Sequence, residues 1–593
     1  MKGFDVLKVK SAVKTRNKFD LSRTHLTTMD FGQIIPLFCE ETVPGDKFNV
    51  SADFFARLAP LVKPTYGKFL FKTVSAFVPY HQIAYDAESW LAGKTTMEGQ
   101  TPHHRFFTME DLDSFIRNSV VSTTTGANAT NSDYQAVDTG GTTVYRIFTA
   151  AGKYYVKILN ALGYALPQNV DLRTNSTWNT SVKDTHLSAY PLLAFFKLYN
   201  DYMSQSQRFN VSYLSDILFR IKNGMVLTGI WNNSNGQIYA NGLVQMFANV
   251  KLNYENDYFT SAWQNPNAPL SGVESVTNVE DKNIPQLGYM GAPTQNQYNT
   301  YSLMSVDSST HTGAINQRVL DWLKSFDDWV RRNNYSGSRA VQQIYSRFGI
   351  KPDDFRAHYA HVVSTDSMPI QIGDITSTAD TGSSGAVLGD YAGKGIMSGS
   401  KSVSYSADDF GMLFIFGYFT VVPMMSFGYD RRVLRSNPLD YYNPEFDGLG
   451  ADAISAGEVF ASPIVAGGSD TTNDNQVYGY TERYNSYRYG RDVITGEFRD
   501  YRFQDMSVWH SGRNLSAIRA ASNMIAQSSA MNTLDSTASE YDRIFSTNTG
   551  AEDHFYLTAQ FKVDAIRPML NLNQVPQLGE GDTNVPRNGN VIS

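Results

Sequence analysis

The sequence predicts a mainly β fold with long, partly helical insertions, and three observations carry that prediction. Short apolar runs separated by turn signals occupy both ends of the chain, over residues 29–78 and again from residue 386 onward. A stretch without any charge, FGMLFIFGYFTVVPMMSFGY at 410–429, is rich in aromatic and β-branched residues and is broken by Pro423. The long runs of apolar helical periodicity lie in the middle of the chain, between segments rich in Asn, Gly and Ser.

Residues 1–30 read as a basic N-terminal arm. Lys8, Lys10, Lys14, Arg16 and Lys18 are spread through it without an apolar stretch of the kind a secretory signal needs. Such lysines could neutralise phosphates without fixed geometry. In the β-rich opening, Val43, Pro44, Gly45 and Asp46 form a strong turn signal. Beyond it, Phe69, Phe71 and Thr73 alternate with Leu70, Lys72 and Val74 as in a strand buried on at least one face.

Residues 31–569 are expected to form one main domain, with candidate insertions at 117–186 and 209–310. The first contains the Ser/Thr/Asn-rich excursion 119–143. Helices are expected within 188–208 and 314–349. In the first, Leu192, Phe195, Phe196, Tyr199, Tyr202 and Met203 share a face and Pro191 sits in the opening turn. In the second, Ile315, Val319, Trp322, Leu323, Phe326 and Val330 share a face, and a shorter helix from Ser338 stops at Gly349. β signals return at LGDYAGKG, at the uncharged stretch, at 493–498, at SVWHSG and at HFYLTAQFKVDAI. Residues 570–593 form an extended tail poor in core formers.

The chain has 593 residues, a net charge of −7 and a pI near 5.8, which argues against a surface that grips phosphate everywhere; any nucleic-acid contact must be local. The single cysteine, Cys39, excludes an intramolecular disulfide and a thiolate metal cluster, and its apolar setting reads as a small buried hydrophobe. The stretch 410–429 is long enough to span a bilayer, but its proline and strand-forming residues make it a buried strand followed by a turn.

Enzyme chemistry finds no named residues. GDYAGK at 389–394 lacks the spacing and the hydroxyl of a phosphate loop and reads as a glycine-rich turn. His358 and His361 have metal-ligand spacing without a clear third ligand, and adjacent His103 and His104 point apart in an extended chain. The carboxylate pairs Glu40–Glu41, Asp327–Asp328, Asp353–Asp354 and Asp408–Asp409 are sequence neighbours, which does not converge two groups across a cleft.

The segment YTERYNSYRYGRDVITGEFRDYRF, 480–503, concentrates Arg483, Tyr484, Tyr487, Arg488, Arg491 and Arg499. Its first half recurs at helical offsets, while 493–503 alternates like a strand. Single-stranded DNA contact and subunit contact both suit arginines interleaved with tyrosines.

Several ordered motifs resemble the major capsid protein family of Microviridae, the F protein family, in its gokushovirus-like branch. FDLSRTHLTTMDFGQIIPLFCEETVPGDKF at 19–48 is similar to the opening of that family in the order of its short words. FARLAP, LSAYPLLAFFKLYNDYMSQSQR, DYFTSAWQNPN, RAVQQIYSRFGI, LGDYAGKG, NPEFDGLG, ERYNSYRYGRDVITGEFR, VWH and DHFYLT continue the resemblance along most of the chain. The excursion 119–143, residues 209–250 and the tail depart from it.

The resemblance implies an eight-stranded antiparallel jelly roll of viral capsid type with long loops, and a non-enzymatic protein that self-assembles into an icosahedral T=1 shell around circular single-stranded DNA. The implied partners are further copies of the chain, the genome, a small basic DNA-packaging protein, a DNA pilot protein and a host cell-surface receptor, a glycan among the candidates. It implies a virion protein assembled in the bacterial cytoplasm, with no membrane insertion and no cofactor; a divalent cation such as calcium at an interface stays open. It also shifts the segment 480–503 toward subunit contact, with arginines paired to carboxylates such as Glu482, Asp492, Glu497 and Asp500. The competing readings are a β-rich carbohydrate-binding or carbohydrate-cleaving protein and a single-stranded DNA-binding module.

Overall fold

The computed structural model describes residues 16–93, 101–116, 119, 121–124, 134–137, 143–164, 184–204, 213–248, 250–262, 325, 328, 359–378, 389–447, 451–461, 476–499, 504–513, 533–534, 540–546 and 553–569. Lys8, Lys10, Lys14, His358, the tail and nearly all of the helices expected within 314–349 lie outside these residues.

Two antiparallel sheets organise the chain. One contains β1 (Asn17–Asp20), β2 (Arg23–Met29), β4 (Lys47–Leu58), β7 (Gln371–Thr376), β8 (Tyr391–Ser406) and β10 (Phe555–Arg567). Its order is β1-β10-β4-β8-β7, with β2 also paired to β10. The other contains β3 (Ile34–Thr42), β5 (Lys68–Pro79), β6 (His361–Pro369) and β9 (Gly411–Val422), in the order β6-β5-β9-β3. Aromatic rings meet between the sheets: Phe54 with Phe71 at 5.5 Å, Phe38 with Phe561 at 5.3 Å, and Phe419 stacked on Phe555 at 4.0 Å.

The sequence patterns of the two sheets differ because their outer faces differ. In β4, β8 and β10 buried and exposed residues alternate almost without interruption, so one face fills the core and the other meets solvent. β5 and β9 are buried on both faces. Helices supply the second cover. Phe195 of α3 (Tyr190–Leu198) meets Phe416 at 5.4 Å, and the Tyr154 hydroxyl of α2 (Ala150–Ala161) accepts from the Ile34 N–H at 2.9 Å. The uncharged stretch is therefore a strand covered by helices, followed by a turn.

The helices follow from local signals. Thr108 caps α1 (Met109–Phe115) in a reciprocal box with Asp111. Thr149 accepts from Gly152 N–H to cap α2. Pro191 stands in the first turn of α3, where its missing N–H is not needed. Two further helices, α4 (Tyr213–Lys222) and α5 (Ala240–Ala248), lie in the second candidate insertion. The turn at Val43–Asp46 is formed as expected. Gly45 takes φ 93°, and Asp46 N–H donates to Val43 O at 3.0 Å.

Three local expectations are corrected. The glycine-rich turn at 389–394 is confined to its first residues, and from Tyr391 the chain is β8, which agrees with the β signal at LGDYAGKG. Gly393 is needed there for close packing, since a Cβ would come within 3.0 Å of Pro64 Cα and Leu61 Cβ. Residues 493–498 form no strand: Gly496 adopts φ 67° and opens a 3₁₀ turn, Gly496–Phe498. SVWHSG likewise enters a 3₁₀ segment, Gln504–Trp509, where Trp509 stacks on Tyr66 at 5.8 Å.

Candidate interface surfaces

A small hairpin positions the arginine and tyrosine segment. Strands Ala451–Ser455 and Val477–Glu482 pair antiparallel, placing Ala451 opposite Glu482. Tyr478 enters a second hydrophobic cluster with Tyr258, Phe259, Met425 and Ile454, and its hydroxyl donates to Phe259 O at 3.2 Å. Tyr489 stacks on Tyr258 at 5.0 Å. Beyond Glu482 the backbone reverses through Tyr484 at φ 61°, the one non-glycine residue with positive φ among the described residues. The turn is held because Tyr484 N–H donates to Asp452 Oδ2 at 2.9 Å and its ring packs edge-on to Tyr442 at 5.2 Å. Only one 3₁₀ turn, Asn485–Tyr487, follows where helical offsets were read.

Most of the guanidinium groups are engaged within the chain. Arg488 bridges Glu482 at 3.1 Å and Asp447 at 2.7 Å. Arg491 donates to the carbonyls of Ser426, at 2.9 Å, and Gly428, and burial holds its pKa below the usual arginine range. Arg483 lies over Phe446 at 5.0 Å. Arg435 covers the Tyr487 ring at 4.0 Å and donates to Ser486 at 3.2 Å. Arg499 is exposed. Of the carboxylates expected to pair with these arginines, Glu482 takes Arg488 of its own chain.

Apolar surface remains on the outside. Val433, Leu439, Tyr441, Tyr442, Phe446 and Val493 are exposed around this cluster, Val433 to 72%. Sequence reasoning missed this shelf. Its signal was RRVLRSNPLDYYNPEF at 431–446, in which Pro438 and Pro444 start 3₁₀ turns that cannot bury their aromatic neighbours in a regular element.

Of the basic residues at the start of the chain, Arg16 and Lys18 are described, and they join the sandwich rather than the hairpin. Lys18 pairs with Asp564 at 2.9 Å, and the Arg16 guanidinium lies beside the Gly45 turn. Nearby, Glu40 takes Arg23 at 3.1 Å and Arg567 at 3.0 Å.

Among the described residues, several other groups considered for chemistry are held by structural contacts. Burial pushes the Cys39 thiol up to about 12, which removes it as a nucleophile at neutral pH. Glu41 accepts from the Tyr80 hydroxyl at 2.7 Å, and Asp409 lies 3.0 Å from His81 Nδ1. His104 packs 4.6 Å from both Trp90 and Tyr190, and burial lowers its pKa. Among the described residues two groupings have metal-ligand proximity, Asp30 with Asp542 and His554, and His81 with Glu88 and Asp409. His554 Nδ1 lies 3.0 Å from Asp30 Oδ1, so a histidine–carboxylate hydrogen bond accounts for that contact. Among the described residues no helix is long and apolar enough to cross a membrane.

Comparison with known proteins identifies the setting of these surfaces. The family described as capsid protein (F protein) matches residues 7–578. Capsid protein VP1 of Chlamydia phage 1 is 22% identical over 569 residues, covering 88% of this chain and 90% of that protein. Capsid protein VP1 of Bdellovibrio phage phiMH2K is 22% identical over 541 residues, covering 85% of this chain and 86% of its own. The family match runs through both sheets, the inserted helices and the arginine and tyrosine hairpin, so the chain belongs to the phage capsid protein (F protein) family.

Proposed function

We propose that copies of this major capsid protein close into an icosahedral T=1 shell around a circular single-stranded DNA genome, with a structural and not an enzymatic role. The observation that carries this reading is the strand order. Taking β2, β3, β4, β5, β6, β8, β9 and β10 as strands one to eight, the sheets run 1-8-3-6 and 2-7-4-5. That is the order expected of an eight-stranded jelly roll, in which β1 and β7 extend one sheet at its two edges. On this reading residues 31–569 are one capsid domain. Its main insertions leave between β5 and β6 and between β9 and β10, while the N-terminal arm and the tail 570–593 serve contacts outside the sandwich.

Closed symmetry requires unlike patches to meet repeatedly about the rotation axes. The shelf at 431–446 together with Arg483, Tyr484, Tyr487, Arg488, Arg491 and Arg499 supports a subunit contact, because aromatic area is exposed where carboxylates outnumber arginines, nine to seven over residues 430–447, 451–461 and 476–499. Further partners on this reading are a small basic packaging protein, a DNA pilot protein and a host receptor. The virion is the location, after assembly in the host cytoplasm.

Expression of the full chain followed by negative-stain electron microscopy tests the proposal. Uniform closed shells are expected. A persistent monomer across a range of salt and calcium concentrations, with turnover of glycans, would overturn it.

A further inference from the structure

We propose that the solvent face of the six-stranded sheet is a contact surface for single-stranded nucleic acid. The inference rests on the shell reading for its biological setting, but its evidence is separate from the arginine and tyrosine hairpin. Side chains on one face of a sheet are fixed by register, so the surface can be read row by row. One row places Thr28, Tyr556, Arg57, Ile396 and Gln371 side by side across five strands. The next places Leu26, Thr558, Phe55 and Ser398 together.

These rows break the usual rule for a wet sheet face. Leu26 is 77% exposed, and Phe55, Tyr556 and Ile396 are each at least 40% exposed. Phe55 and Tyr556 are diagonal cross-strand neighbours, a spacing of about 7 Å between backbones. Such a pair offers two ring faces in sequence, which is what stacking of successive bases requires. The Arg57 guanidinium lies 5.4 Å from the Phe55 ring centre, ready to share a base or reach a phosphate. Beside Phe55 a shallow depression of about 320 Å³ is lined by Asp53, Ser398, Ser400, Thr558 and Gln560, a set of donors and acceptors suited to base edges.

Charge selects nucleic acid over a second protein surface. The face carries Lys18, Lys47, Arg57, Lys394 and Lys562 against Asp20, Asp53 and Asp564, a surplus of two cations on a chain whose net charge is −7. Ser402, Ser404 and Ser406 continue the face with hydroxyls, which bind phosphate oxygens without sequence preference.

The experiment uses the full-length chain and a fluorescein-labelled oligothymidylate about twenty nucleotides long, read by anisotropy over a salt series. Phe55→Ser with Tyr556→Ser is expected to weaken binding about tenfold or more, from lost stacking. Lys394→Glu with Lys562→Glu, which changes only exposed side chains, is expected to weaken binding and flatten its salt dependence. Both pairs should leave the thermal melt and shell formation unchanged. Affinity unaltered in both pairs overturns the inference, as does loss of shells with DNA affinity intact, which would assign the face to a neighbouring subunit. A wild-type chain that binds through this face yet forms no shells would support the inference and overturn the shell reading instead.

Discussion

His510 follows the late 3₁₀ segment and packs near Phe427 and Phe498, each ring 6.3 Å away, and its two ring nitrogens have different work. Nδ1 accepts from Gly512 N–H at 3.0 Å, so the proton lies on Nε2, which donates to Phe498 O at 3.0 Å. Burial pushes its pKa down, the Phe498 carbonyl opposes that shift, and Arg543 adds to it. Protonating Nδ1 would set two donors against each other. Since the folded-state pKa lies below the ordinary value of about 6.5, the unfolded chain binds this proton first. The stability contributed is therefore present above about pH 6.5 and is lost as pH falls below it. His104, also lowered by burial, acts with the same sign. Thermal melts at about pH 7.5 and pH 5.5 should show a lower transition in acid, and His510→Asn should shrink that difference without abolishing it. An unchanged difference would remove His510 from the account. Arg488 gives the opposite lesson. Its two ion pairs are half exposed, so Arg488→Ala should cost less than about 1 kcal/mol of stability in denaturant titration, whatever it does to assembly.

At the scale of elements, the two sheets respond differently to the same kind of change. Gly417 in β9 is buried on a strand with no free face, and a Cβ there would lie 2.6 Å from Leu37 Cδ1 and 2.8 Å from Phe71 Cζ. Gly417→Ala should therefore destabilise by about 1–3 kcal/mol through overpacking. Ser402→Ala on the open face of β8 should stay within about 0.5 kcal/mol of wild type, and equal losses for the two would contradict the assigned faces. The same contrast shows what the sequence could reveal. Alternation in KFNVSADFFARL and KSVSYS carries the orientation of β4 and β8 directly, because one face is dry and one is wet. The run from Phe410 announces a strand but not the helices that cover it, since burial on two sides erases the period. Residues 493–498 mislead for another reason. Val493, Ile494 and Phe498 look like a strand, yet Gly496 bends the chain and no partner strand lies beside them among the described residues. The shelf at 431–446 was legible only in part: Pro438 and Pro444 mark its turns, but exposure of Tyr441 and Leu439 is a property of packing, not of local pattern.

At the scale of the whole molecule, apolar surface is exposed on two faces of unlike charge, and on the readings proposed above the difference suits them to different partners. On the open sheet, cations outnumber carboxylates beside Phe55 and Tyr556. Around the hairpin, Arg431 pairs with Glu458 at 2.6 Å, Arg432 with Asp430 at 2.7 Å, and Arg488 with Asp447 and Glu482. Over residues 430–447, 451–461 and 476–499 nine carboxylates stand with seven arginines, so the region has no surplus of positive charge to attract phosphate. What is left is area: Val433, Leu439, Tyr441 and Tyr442 project from turns that are capped and braced, so little ordering remains to be done on contact. Rigid aromatic anchors of this kind dominate the energetics of protein contacts. Leu439→Ser with Tyr441→Ser should consequently abolish shells in electron micrographs and leave sedimenting subunits whose melting temperature and oligothymidylate affinity match wild type. Arg488→Ala with Arg491→Ala probes the same contact through its supports, because Arg491 holds the carbonyls of Ser426 and Gly428 that lead into the shelf. That variant should impair closure at wild-type affinity for DNA. Shells that close normally but contain less DNA would reverse the assignment and put the hairpin against the genome.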